Sequence, residues 1–115
     1  MNFFTRAFAF TLLCGLFFVP ATFAQVNATV GGTVTDASGA VIVTAAVSAK
    51  NNSTGIVTNT TTNTSGAYEF ASLQPGTYTV TATISGFKTA TYNNVMLGQG
   101  QQARLNFNME VAAAG

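Results

Sequence analysis

The chain has 115 residues, 48% of them hydrophobic and 6% charged, with a formal net charge of +1. That length suits one small domain rather than two. Arg6, Lys50, Lys88 and Arg104 stand against Asp36, Glu69 and Glu110 without a cluster of either sign, which excludes charge-driven binding of nucleic acid or anionic membrane.

Residues 1–24 have the order of a secretory signal peptide: a positive charge at Arg6, an uncharged apolar run over 7–19, Pro20, and small residues Thr22 and Ala24 before Gln25. Cleavage is expected between Ala24 and Gln25. The apolar run is shorter than the roughly 20 residues a membrane-crossing helix needs. Cys14 follows Leu13, where lipid attachment wants a small residue, so it reads as part of the leader. The expected mature chain is a domain over 25–111 with a short tail at 112–115. It has neither cysteine nor histidine, and without a disulfide its core must hold it together.

From there the period is that of strands almost throughout. Residues 26–35 place Val26, Ala28, Val30 and Val34 on one side; shorter candidates are 45–51, 56–61 and 67–71. Residues 77–85, TYTVTATIS, alternate strictly, with Tyr78, Val80, Ala82 and Ile84 on one face and hydroxyl residues on the other. A candidate follows over 88–97. The run 102–111, QARLNFNMEV, places Ala103, Leu105, Phe107, Met109 and Val111 inward. Turn signals separate these runs: DASG, NSTG, TSG, QPG, SG and GQG each supply a glycine. About seven strands with no helical period predict an all-β fold, an antiparallel β-sandwich.

The segments GTVTDASG at 32–39, GAYEF at 66–70, LQPGTYTV at 73–80 and the pair Gly86–Phe87 closely resemble the carboxypeptidase regulatory-like domain. The resemblance runs over about residues 32–111 and implies a transthyretin-like (prealbumin-like) Greek-key sandwich, related to carbohydrate-binding folds. It implies a non-enzymatic accessory module, most like the N-terminal domain that precedes the plug and barrel of bacterial TonB-dependent outer-membrane receptors. On that reading the protein is exported to the periplasm, the outer membrane or the medium. Its partner is a protein, such as a receptor's plug and barrel, or else a polysaccharide, and no nucleic acid is involved.

The inventory agrees with a module that is not an enzyme. The expected mature chain lacks the residues for a Ser-His-Asp triad, a thiol nucleophile or a zinc site, and no cofactor or metal is expected. Asp36, Glu69 and Glu110 are the only acids from which a hydrolytic pair could be drawn. Asp36, before Ala37-Ser38-Gly39, reads as the cap of its own turn rather than a calcium ligand. An isopeptide bond from Lys50 to Asn106 or Asn108 lacks an acid, since Ala82 stands where one is needed. The Asn-x-Ser/Thr triplets at Asn27, Asn51, Asn52, Asn59 and Asn63 follow from composition in a Thr- and Asn-rich chain.

Two kinds of ligand remain. Tyr92, with Asn93 and Asn94, is the candidate sugar-contacting group, because an aromatic face flanked by amides suits a sugar ring; Phe87 is the second aromatic. Strands with uncharged polar faces are also open to pairing with a partner's strand at a sheet edge.

Overall fold

The structure is a computed structural model that describes residues 26–112. The leader, the expected cleavage at Ala24–Gln25 and residues 113–115 lie outside it. Eight strands run in order: β1 (Ala28–Asp36), β2 (Ala46–Asn51), β3 (Val57–Thr61), β4 (Ala67–Leu73), β5 (Gly76–Thr83), β6 (Ala90–Leu97), β7 (Gln102–Arg104) and β8 (Phe107–Met109). They form two four-stranded sheets. In the first, β1 lies between β4 on one side and β7 and β8 on the other; the second has the order β3-β2-β5-β6.

The alternation in the sequence becomes the core. Along β5, Tyr78, Val80 and Ala82 are buried and the threonines between them face outward. In β1 the buried side falls on Ala28, Val30, Gly32 and Val34. These residues meet Val47, Ala49, Phe70, Leu73, Phe107 and Met109 between the sheets. Burying each of the valine, leucine, phenylalanine and methionine side chains among them contributes about 1.5–3 kcal/mol relative to exposure. Val26 precedes the strand and is exposed, so it does not join the face expected of it.

The C-terminal run departs most from expectation. It is two short strands rather than one, and both run parallel to β1, so the sandwich is not wholly antiparallel. The break at Leu105–Asn106 has a cause distant in sequence. Here the chain crosses directly over Gly32, where an added Cβ would sit 2.0 Å from the Leu105 carbonyl oxygen. The backbone groups freed at the break find side-chain partners. Tyr68 donates its hydroxyl to the Leu105 carbonyl, Tyr92 donates to the Asn106 carbonyl, and Asn106 Oδ1 accepts from the Thr33 amide at 3.0 Å. Beyond β8 the inward pattern ends, and Val111 is exposed although it bridges to Phe87.

Candidate binding surfaces

The outward face of the first sheet carries a depression of about 550 Å³ centred on Gly31. Gly31 stands opposite Glu69 on β4 and opposite Arg104 on β7, so an acid and a base flank a residue with no side chain. Thr29 and Thr33 continue the same face of β1, and Gln102 lies beside them. The fold does not require this gap. A Cβ on Gly31 would meet the Tyr68 carbonyl oxygen at 3.4 Å and Glu69 Cγ at 4.0 Å, both ordinary contacts. The ion pair that the described residues form, Lys88 with Glu110 at 3.7 Å, involves neither Glu69 nor Arg104. An acceptor-only carboxylate, a guanidinium with five donors and neighbouring hydroxyl and amide groups suit an uncharged ligand rich in hydroxyls.

Tyr92, Asn93 and Asn94 sit on β6, an edge of the second sheet. Tyr92 lies opposite the buried Val80 and is 38% exposed. Its ring meets Phe107 edge-on, with centroids 5.0 Å apart, and its hydroxyl is held by Asn106. It therefore closes the gap between β6 and β8. The pairing register shifts just here, because β6 advances three positions from Tyr92 to Val95 while β5 moves two, from Val80 to Tyr78. The extra residue is a β-bulge in which Asn94 takes a left-handed conformation, φ 55°. Phe87 is half-buried against the core.

The remaining singled-out side chains have structural partners. Asp36 Oδ1 accepts from the Ser38 amide at 2.9 Å, the Ser38 hydroxyl at 2.6 Å and the Ala40 amide at 3.1 Å, which makes it the turn cap its sequence implies. The Ser38 hydroxyl leads in holding its carboxyl below the usual range. Asn51 and Asn63 do the same for the next turns, receiving amides of Ser53 and Thr54, and of Ser65 and Ala67. Asn27 bonds Ser72, and Asn52 receives the Thr79 hydroxyl. Lys50 points outward from the second sheet, away from Asn106, whose side chain is spent on Thr33. Among the described residues no three acids or metal-ligating side chains gather at one place.

The sequence reading missed the depression at Gly31. Arg104, between the inward Ala103 and Leu105, was legible as an outward position; Glu69 lay in a candidate strand whose faces the sequence left unassigned. What brings them to either side of Gly31 is strand order, which a period-two pattern does not encode.

The chain belongs to the family of carboxypeptidase regulatory-like domains, whose model matches residues 29–110. No curated protein matches it. Among solved structures it is similar to a candidate carbohydrate-binding protein of Bacteroides uniformis, at 16% identity and TM-score 0.59, over 73% of this chain and 41% of that one. A second candidate carbohydrate-binding protein, from Pseudomonas aeruginosa, matches at 17% identity and TM-score 0.53, over 76% of this chain and 92% of that one. Catechol 1,2-dioxygenase of Acinetobacter radioresistens matches at 13% identity and TM-score 0.57, over 77% of this chain and 53% of that one. The chain thus spans less than half of the first of these proteins. At such identities the likeness is one of fold, and a fold shared by binding proteins and a dioxygenase does not carry an activity with it.

Proposed function

We propose that the protein is an exported, non-catalytic module of the bacterial cell envelope that works by contact, as an interaction or spacer domain like those preceding TonB-dependent receptors. The placement of its acids carries this reading. Asp36 is tied into a turn, Glu69 lies in the middle of β4, and Glu110 follows β8 paired to Lys88, so two of the three acids are already engaged in holding the fold. A leader-like N-terminus and membership of a regulatory-like family add to it. Immunoblotting of fractionated native cells tests the proposal. A band in the periplasm, outer membrane or medium is expected, with a mass that tells a free-standing module from the front of a larger receptor. A band confined to the cytosol sinks it.

Carbohydrate binding is the second reading, favoured by the polar depression at Gly31 and by the names of two proteins of similar fold. Retention on a panel of immobilised polysaccharides is its test. Loss of retention in Glu69→Gln or Arg104→Gln places the sugar at Gly31; loss in Tyr92→Ala alone, with the fold intact, places it at β6. No retention on any polysaccharide removes the reading.

A further inference from the structure

The two sheets expose four edges, and three of them are blunted. At β4 the register against β1 shifts between Ala28 and Val30, Glu69 supplies a charge, and Asn63 occupies both the amide and the carbonyl of Ala67. At β6 the bulge with left-handed Asn94 interrupts the ladder. The β7–β8 edge is two three-residue strands broken at Leu105–Asn106. Bulges, charges and short strands are the devices by which proteins prevent strand addition.

The β3 edge has none of them. Its sequence VTNTT contains no charge, proline or glycine, and it pairs with β2 over five consecutive residues without a shift. Ile56 and Thr62 at its two ends direct their backbone groups to the β2 side, through Asn51, Thr44 and Ala45. By alternation, Thr58 and Thr60 do so too, leaving the amides and carbonyls of Val57, Asn59 and Thr61 facing away. Thr58 lies opposite the buried Ala49, on the core side of its sheet, yet is exposed, lining a cavity of about 200 Å³ with Ser72, Leu73 and Gln74.

We propose that β3 is a self-association edge, at which two copies of the chain pair antiparallel about a two-fold axis through Asn59. That register sets Val57 against Thr61 and Asn59 against its own copy, so every outward-facing residue meets an outward-facing one. About six backbone hydrogen bonds form. Thr58 meets Thr60, no like charges oppose each other, and the second sheets join into one continuous sheet. The occupant is a second copy because the strand is complementary to itself. The interface is isologous, and the edges left over are the blunted ones, so assembly stops at two.

Sedimentation velocity of the purified chain and of variants, each checked for strand content by circular dichroism, tests this. The unsubstituted chain is expected at twice the single-chain mass. Asn59→Pro is expected at half that mass, since the amide it removes faces away from β2. The double variant Val57→Lys/Thr61→Lys sets lysine against lysine and is likewise expected as a single chain. Mixing it with Val57→Glu/Thr61→Glu is expected to restore the pair, which a general loss of stability would not. A single-chain mass for the unsubstituted protein at every concentration overturns the proposal, as does a dimer that survives in all variants. A single chain with another polypeptide's strand seated on β3 also overturns it.

Discussion

Gly31 and Gly32 are neighbours in β1 and meet opposite surroundings. A methyl group on Gly32 would collide with the Leu105 carbonyl, part of a backbone pinned by two tyrosine hydroxyls, whereas one on Gly31 makes only ordinary contacts with the Tyr68 carbonyl and Glu69. Gly32→Ala is therefore expected to cost about 3 kcal/mol or more. Gly31→Ala should be neutral or stabilising by up to about 1 kcal/mol, because alanine loses less backbone entropy on folding. Urea unfolding of the two variants measures both; equal effects would contradict the crossing at Leu105. Tyr68 supplies a pH test. Burial foremost, with Tyr92 second, pushes its hydroxyl well above the usual tyrosine value of 10.0. The folded form then keeps a proton that the unfolded form releases. Its contribution to stability is complete below about pH 10 and is lost as pH rises toward the raised value. Tyr68→Phe leaves the Leu105 carbonyl without its partner, so stability at neutral pH should drop by about 1–2 kcal/mol. The alkaline loss should shrink in the same variant.

Among the elements, the broken pair β7 and β8 depends on a side chain standing in for backbone. Asn106 Oδ1 receives the Thr33 amide that a continuous strand would have bonded through a carbonyl. Asn106→Ala is expected to destabilise by about 1–2 kcal/mol and to quicken exchange of the Thr33 amide selectively, as read by NMR. An unaltered Thr33 amide would mean that the break is held by other means. The break also marks where the sequence stopped being readable. β5 was legible because each alternating residue meets the same two layers along its length. In 102–111 the alternation is just as regular. What interrupts it is contact with Gly32, some seventy residues earlier. Local period carries no record of such a contact. Parallel pairing of β7 and β8 with β1 escaped for the same reason. Tyr92 was legible as an aromatic flanked by two amides. Its ring packing on Phe107 follows from the sandwich closing at β6 and β8, which only the assembled sheets define.

The whole molecule combines a close-packed interior with outward faces that are polar and nearly uncharged. Thr62 and Asn51, the buried polar side chains, are both satisfied: Thr62 bonds the Ile42 carbonyl and the Ala45 amide, and Asn51 caps its turn. Among the described residues no buried side-chain donor or acceptor is left without a partner, as a well-packed interior requires. What the molecule offers is surface: the depression at Gly31 and the flat edge of β3. Unfolding is expected to be a single cooperative transition insensitive to reductant, since one cysteine cannot form an internal disulfide. The claim that the protein works by contact is tested most directly by hydrogen–deuterium exchange, read by mass spectrometry, on the protein in isolated native envelopes and after purification as separated chains. Slower exchange in the envelope, confined to β3 or to the outward face around Gly31 with the interior amides unchanged, is the predicted result. Identical exchange in both states would contradict a contact role.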